Sequence, residues 1–89
     1  MTIKFQIDAT LSQYTNNHRL SKVNGNTVGD CLNHLAEQFP GLKTVIFDND
    51  GKLNSSIAVF MNGKFPRIEH LLRPVKDGDE LTILLLSEG

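Results

Sequence analysis

The sequence predicts an α+β fold in which one main helix packs on one face of a mixed sheet. Three observations predict it: alternation of apolar and polar residues near the N-terminus, a capped amphipathic segment in the middle, and two apolar strand-like runs in the C-terminal half. A chain of 89 residues is long enough for one domain. We assign residues 1–86 to this domain and residues 87–89 to a short flexible C-terminal tail.

Two strands are predicted near the N-terminus. Residues 2–8 have isoleucine or phenylalanine at every second position, which is typical of a strand with one buried face. After a polar, turn-rich stretch over 9–18, residues 19–23 alternate again, and we expect them to pair back on the first strand. An Asn-Gly-Asn sequence at 24–26 is expected to end this second strand.

The main helix is predicted to begin after Thr27, a favourable N-cap, with Asp30 three residues later as in a short capping box. One helical stripe is apolar and consists of Val28, Leu32, Leu35 and Phe39. A Pro-Gly pair at 40–41 is expected to end the helix. Residues 42–47 fit either a short helix or an extended segment.

The C-terminal half is predicted to contain two further strands. Residues 57–61 form an apolar run that is followed by Asn-Gly, a dipeptide favoured in two-residue hairpin turns. Residues 64–75 are irregular, although 68–72 fit a turn of helix. The final strand covers about residues 80–86 and follows a turn-forming Lys-Asp-Gly-Asp-Glu sequence.

Composition excludes several classes of function. The net charge is −1, and the nine basic residues are scattered rather than interleaved with aromatic residues, so nucleic-acid binding is not expected. No apolar stretch approaches the ~20 residues needed to span a bilayer, so no membrane association is expected. The N-terminus carries no basic region followed by an apolar segment, so we expect no secretory signal and a cytoplasmic location.

Candidate catalytic and metal-binding residues are few. Cys31 is the only cysteine, and we expect it to be a buried core residue beside the apolar stripe of the helix. The histidines lack metal-ligand spacing, and the paired aspartates fit turn chemistry better than a calcium loop; these residues are His18, His34, His70, Asp48, Asp50, Asp77 and Asp79. We therefore predict no catalytic site and no metal site.

The whole chain resembles the MoaD/ThiS family of ubiquitin-like sulfur carriers, which includes the molybdopterin synthase small subunit and the thiazole-biosynthesis carrier. The resemblance rests on the order of elements, Val-Phe-Met-Asn-Gly at 59–63, Lys-Asp-Gly-Asp-Glu-Leu at 76–81 and the terminal glycine. Residues 47–53 resemble an insertion in longer members, including carriers for cysteine synthesis. The resemblance implies a β-grasp fold with a mixed sheet of four to five strands.

The resemblance also implies a reaction. A partner enzyme related to ubiquitin-activating enzymes would use ATP to adenylate the carboxylate of Gly89, and a sulfur donor would convert the adenylate to a thiocarboxylate. A downstream synthase would then use that sulfur. The chain would be a co-substrate rather than an enzyme, and it would bind no cofactor itself. Molybdopterin, thiamine, cysteine and tRNA thiolation pathways all use carriers of this build, and the sequence does not choose among them.

The tail departs from the family pattern, both in its last residues and in Leu85 and Leu86, which stand where proline and small residues are usual. Family members typically end in Gly-Gly, whereas this chain ends in Ser87, Glu88 and Gly89. In the carrier hypothesis, Ser87 and Glu88 form the part of the tail that enters the activating enzyme. The anionic side chain of Glu88 supports an alternative, in which the chain is a β-grasp interaction module that docks on an enzyme without C-terminal activation.

A partner-binding surface is predicted on the outer face of the sheet. If Ile57 and Val59 face the helix, then Phe60 faces outward, and the same alternation turns Leu84 and Leu86 outward on the last strand. An exposed apolar patch often marks a partner surface, so Phe60, Leu84 and Leu86 are our candidates for partner contact. A different face assignment, or cover by residues 64–75, is the alternative.

Overall fold

The four strands of the computed structural model, which describes residues 2–64 and 70–86, follow the predicted order. They are β1 (Thr2–Ile7), β2 (Leu20–Asn24), β3 (Ile57–Met61) and β4 (Glu80–Leu85). The α-helices are α1 (Val28–Gln38) and α2 (Lys43–Ile46), and 3₁₀ helices span Ala9–Tyr14, Pro40–Leu42 and His70–Leu72. Within these residues, no helix combines the length and the apolar character that crossing a membrane requires.

The first and last strands lie side by side in the middle of the sheet. The strand order is β2-β1-β4-β3, with β1 and β4 parallel and both outer pairs antiparallel. Because parallel neighbours need a long crossover, α1 and the segments after it must connect them across one face. The predicted mixed sheet with one main helix is confirmed, and its four described strands have the β-grasp arrangement that the resemblance implies.

The ends of α1 follow the predicted signals. Thr27 Oγ1 accepts a hydrogen bond from the N–H of Asp30 at 3.1 Å, as an N-cap should. The Asp30 carboxylate accepts a bond from the N–H of Asn26 at 3.3 Å, one residue earlier than in a standard capping box. The helix ends two residues before Pro40, which cannot donate a backbone hydrogen bond to continue it.

The apolar stripe of α1 packs against the inner face of the sheet. Side chains with at most 1% exposure in this core include Ile3, Phe5, Ile7, Val23, Val28, Leu32, Leu35, Val59, Leu81 and Ile83. The inward orientation of Ile57 and Val59 is thus confirmed, since both are buried in the core. It follows that the residues between them point to the outer face.

Two segments contribute more to the core than their sequence indicated. The polar stretch after β1 contains the 3₁₀ helix Ala9–Tyr14, and Leu11 within it is fully buried. One apolar residue in a polar run has no periodicity, so the sequence did not predict this contact. The ambiguous residues 42–47 contain the helix α2, and the side chain of Ile46 is fully buried.

The remaining differences concern element ends. The second strand, predicted over 19–23, runs one residue later, and the last strand, predicted to reach residue 86, ends at residue 85. The turn of helix expected at 68–72 is a 3₁₀ helix over His70–Leu72, and residues 68 and 69 lie outside the described part. Such shifts of one or two residues are usual where hydrogen-bonding ladders end.

A polar clamp holds the end of β3 against the start of β4. Asn62 adopts a positive φ of 51° in the hairpin turn, and its Oδ1 accepts a bond from the N–H of Glu80 at 2.9 Å. The carboxylate of Asp79 accepts bonds from the N–H of Lys76 at 2.9 Å and from Asn62 Nδ2 at 3.2 Å. These two bonds, with the Lys76 bond as the larger cause, lower the pKa of the Asp79 carboxyl below its usual value.

We expect the substitution Asp79→Ala to lower the free energy of unfolding by on the order of 1 kcal/mol at neutral pH, because it removes two hydrogen bonds to a carboxylate. The folded pKa is depressed, so this stabilisation is present above the unfolded pKa of about 3.9 and is lost as the pH falls below it. In urea unfolding, the free energy of unfolding of Asp79→Ala should be lower than that of wild type at neutral pH, and this difference should shrink at about pH 3.

Asp50→Ala is the matched control. Asp50 is exposed, and its carboxylate makes no hydrogen bond within the described residues. This variant should unfold like the wild type at both pH values. A gap for Asp79→Ala that is equally large at neutral and acidic pH would contradict a role for the ionised Asp79 carboxylate.

Candidate functional site

The C-terminal tail follows a strand in the interior of the sheet. The strand β4 lies between β1 and β3, and Leu86 comes directly after it as the last described residue. The N–H of Leu86 donates to the carbonyl oxygen of Ser56 at 2.6 Å, which continues the ladder with β3 by one bond. Ser87, Glu88 and Gly89, the predicted tail and reactive carboxylate, lie outside the described residues, so their roles stay predictions.

Two side chains that sequence analysis did not identify as functional, Thr10 and Asp8, hold Leu85 on the side of β4 that faces away from β3. The N–H of Leu85 donates to Thr10 Oγ1 at 3.0 Å. The Thr10 hydroxyl in turn donates to the carboxylate of Asp8 at 2.9 Å. An Asp-x-Thr sequence directly after a strand is a recognisable capping signal, and Asp8 is indeed the N-cap of the 3₁₀ helix Ala9–Tyr14. Nothing in that signal indicates a contact with Leu85, which is 75 residues away in sequence.

The three predicted partner-binding residues lie on the outer face of the sheet. Ala58 pairs with Leu84 and Phe60 with Thr82, so all four side chains share the face that points away from α1. Phe60 and Leu84 are half-buried, whereas Leu86 is 46% exposed. Ala58 is only 3% exposed and offers no surface for contact. We call Phe60, Leu84 and Leu86 the outer apolar patch. The patch borders the start of the tail, and its role in binding stays a prediction.

The other half of the outer face is polar. Lys4 pairs with Lys22 on one side and with Glu80 on the other, and all three point outward. Gln6 Nε2 donates to the Glu80 carboxylate at 3.3 Å. Leu20 pairs with Gln6 at the far edge of this face and is 51% exposed. Leu20 is therefore an exposed leucine on the same face, and β1 separates it from the nearest residues of the outer apolar patch on β4.

Cys31 is a core residue, as predicted. Its side chain is fully buried between α1 and the sheet. Burial raises the pKa of the Cys31 thiol to about 11, and the nearby charge of Asp30 adds to the effect. The thiolate, which is the nucleophilic form, is therefore almost absent at neutral pH.

Two histidines have structural roles. His34 Nδ1 accepts a bond from the N–H of Asn24 at 2.8 Å, and Gln38, one helical turn later, donates from Nε2 to the carbonyl of Lys22 at 2.8 Å. Together they cover the free edge of β2, which limits pairing with another chain. His18 Nδ1 bonds the carbonyl oxygen of Thr15 at 2.7 Å.

Asp48 and Asp79 serve turns, as predicted. Asp77 differs, because its carboxylate accepts a bond from the N–H of Thr2 at 3.2 Å, 75 residues away in sequence. Asp48 Oδ1 accepts bonds from the N–H groups of Asp50 at 2.8 Å and Lys52 at 3.0 Å, which closes the turn that carries Gly51 at φ 79°. In residues 2–64 and 70–86, no group of three or more histidine, cysteine or acidic side chains is arranged to hold a metal ion.

The family comparison covers nearly the whole chain. The model of the ThiS family matches residues 6–86. This range includes every described strand in full except β1, of which only the last two residues are included. Among curated proteins, no sequence matches this chain significantly.

Solved structures of similar size share the fold. SAMP1 from Haloferax volcanii superposes with a TM-score of 0.88 at 28% identity, covering 100% of this chain and 99% of that chain. The small archaeal modifier protein 1 from Methanosarcina acetivorans has a TM-score of 0.86 at 32% identity, with coverage of 99% and 95%. A chain of the BexX/CysO complex from Amycolatopsis orientalis has a TM-score of 0.85 at 28% identity, with coverage of 98% for both chains.

We expect the Cys31 thiol of the native protein to be unreactive. Ellman's reagent at about pH 8 should release no colour from folded protein over hours, because the thiol is buried and its pKa lies well above that pH. The same protein in denaturant is the internal control and should release one equivalent. Reaction of the folded protein at the rate of the denatured chain would contradict the buried placement.

Proposed function

The chain belongs to the ThiS family, and from that membership we propose that it carries sulfur as a thiocarboxylate on Gly89. The observation that carries the proposal is the family match over residues 6–86 in a chain whose last residue is glycine. The structure supports it because the last described residue, Leu86, directly follows a paired strand. The chain itself is a carrier and co-substrate rather than an enzyme.

The proposed chemistry has two steps. On a separate activating enzyme, a carboxylate oxygen of Gly89 attacks the α-phosphorus of ATP, and pyrophosphate leaves. A sulfur nucleophile from a donor then attacks the acyl carbon, AMP leaves, and a thiocarboxylate remains. A terminal residue without Cβ allows the backbone to approach the phosphate closely. ATP and its binding groups belong to the activating enzyme, and we propose that these steps take place in the cytoplasm.

We propose that the outer apolar patch docks the activating enzyme. Leu84 and Leu86 lie near the end of the sheet where the tail begins, and Phe60 extends the same face along β3 to the position opposite Thr82. Burying partly exposed leucine and phenylalanine side chains is the main source of affinity in such contacts. An enzyme bound there would be close to the first tail residue, so the same contact would bring Gly89 within reach of its active site.

A downstream synthase completes the proposed set of partners. Molybdopterin, thiamine and cysteine synthesis are the candidate pathways. Two observations favour the longer carriers of the cysteine type. An isolated β-bridge between Phe47 and Leu53 closes the turn over residues 47–53, which resembles the insertion of the longer carriers. The chain is also similar to a chain of the BexX/CysO complex.

The first test concerns the tail. Wild-type protein with ATP, a sulfide donor and the host's activating enzyme should gain a mass corresponding to one oxygen replaced by sulfur, located at Gly89 by fragmentation. Deletion of Gly89 should abolish the reaction. Glu88→Gly should be activated at least as well as wild type, because it removes an anion near the ATP phosphates. Glu37→Gln, an exposed change on α1, is the charge-matched control and should behave like wild type.

A wild-type protein that binds the activating enzyme yet stays unmodified with ATP and sulfide would overturn the carrier proposal. That result would favour the alternative, an interaction module that docks without C-terminal activation.

The second test concerns the outer apolar patch. Leu86→Ser should weaken binding to the activating enzyme about 5-fold, since burial of a half-exposed leucine contributes on the order of 1 kcal/mol. Leu20→Ser is the matched control, because Leu20 is similarly exposed on the same face two strands away. Calorimetric titration measures both. Equal losses of affinity for the two variants would contradict docking at the patch.

A further inference from the structure

The parallel ladder between β1 and β4 ends with an unusual acceptor. The N–H of Asp8 donates to the carbonyl of Ile83 at 2.9 Å, which is an ordinary bond of that ladder. The next N–H that β4 directs toward this side is that of Leu85, but the chain after β1 has already turned into the 3₁₀ helix Ala9–Tyr14. Thr10 Oγ1 accepts this bond at 3.0 Å. A side-chain hydroxyl thus takes the place of a backbone carbonyl.

Asp8 orients that hydroxyl. A threonine hydroxyl has a single proton, and Thr10 gives it to Asp8 Oδ2 at 2.9 Å. The lone pairs of Thr10 Oγ1 can then accept the hydrogen bond from the N–H of Leu85. Bonds from the Thr10 N–H and hydroxyl, together with the charge of Arg19, lower the pKa of the Asp8 carboxyl. Asp8 is therefore ionised at neutral pH and keeps the hydroxyl in the accepting orientation.

The next residue is held from the opposite side. The N–H of Leu86 donates to the carbonyl oxygen of Ser56. Ser56 is itself fixed, because its N–H donates to Asn54 Oδ1 at 3.0 Å. Consecutive amides of the last two described residues are thus bound by different parts of the fold. Of these two bonds, only the one to Thr10 depends on a side chain and can be removed by a substitution.

We propose that Thr10, oriented by Asp8, is a positioning residue that fixes where the C-terminal tail starts and so sets the rate of activation at Gly89. The inference rests on the proposed function. Three residues separate Leu86 from the terminal carboxylate, and they span roughly 10 Å at most. A docked enzyme therefore receives the carboxylate in the correct place only if Leu85 and Leu86 are held in place. Displacement of a reacting group by about 1 Å lowers a rate by up to about 100-fold.

The substitution Thr10→Val isolates the hydroxyl. Valine keeps the branched shape and the N–H that Asp8 accepts at 3.1 Å. It removes the hydroxyl and with it the bond from the Leu85 N–H and the bond to the Asp8 carboxylate. Thr10→Ala removes the same hydroxyl without branching and should give the same result. Thr10→Ser restores the hydroxyl. Ser12→Ala removes a hydroxyl of the same 3₁₀ helix that bonds only the carbonyl of Ala9 within the described residues, so it is the matched control.

Three measurements are made on the full chain. Amide hydrogen exchange at Leu85 should be about 5-fold faster in Thr10→Val, the factor for loss of one ordinary hydrogen bond. The kcat for ATP-dependent activation by the host enzyme should fall about 3- to 10-fold. The dissociation constant for that enzyme should change much less than kcat, because Thr10→Val alters no side chain of the outer apolar patch and Leu86 keeps its bond to Ser56. Thr10→Ser should restore the exchange rate and kcat, and Ser12→Ala should match wild type.

The outcomes separate the two proposals. Activation of Thr10→Val at the wild-type kcat would overturn the positioning role and leave the carrier function intact. A loss of kcat that Thr10→Ser does not rescue, or that Ser12→Ala shares, would also overturn it, since a general structural effect would then explain the loss. A wild-type chain that is not activated at all would overturn the proposed function and the positioning role with it.

Discussion

The parallel pairing of β1 with β4 is the constraint on which the rest of the structure depends. It places the last strand between two others, with Leu81 and Ile83 fully buried against the helix. Because β1 and β4 run in the same direction, the chain must cross one face between them, and α1 lies in that crossing. The same pairing brings the end of β4 next to the residues that follow β1. The start of the tail thus follows a strand that is paired on both sides.

Much of the fold could be predicted because its signals are local. Alternation predicted the inward residues of β1, the Thr27 cap predicted the start of α1, and Asn-Gly predicted the turn at 62–63. The apolar run of β3 does not alternate, so its inward face was an assumption that the structure bears out. The burial of Leu11 could not be predicted in this way, because it depends on how a 3₁₀ helix packs against distant strands. The choice of α2 at 43–46 was also a matter of packing, since the local sequence fits two structures.

In the candidate site too, some features could be predicted from the local sequence and others depend on the tertiary structure. The outward direction of Phe60 and Leu84 follows from a period of two once the inward residues are known. The bond between Thr10 and Leu85 joins residues 75 positions apart, so only the tertiary structure reveals it. The role proposed for Gly89 rests on a third source, family membership, since a terminal glycine has little chemical signal of its own. Fold, docking surface and chemistry therefore rest on separate observations.

The measurement that tests the central claim most directly is the intact mass of the protein purified from its own host, with fragmentation of the C-terminal residues. The account predicts a population in which one oxygen of the Gly89 carboxylate is replaced by sulfur, or in which Gly89 is covalently joined to a recipient molecule. A single unmodified species, isolated from cells that contain the activating enzyme and under conditions that preserve thiocarboxylates, would contradict it.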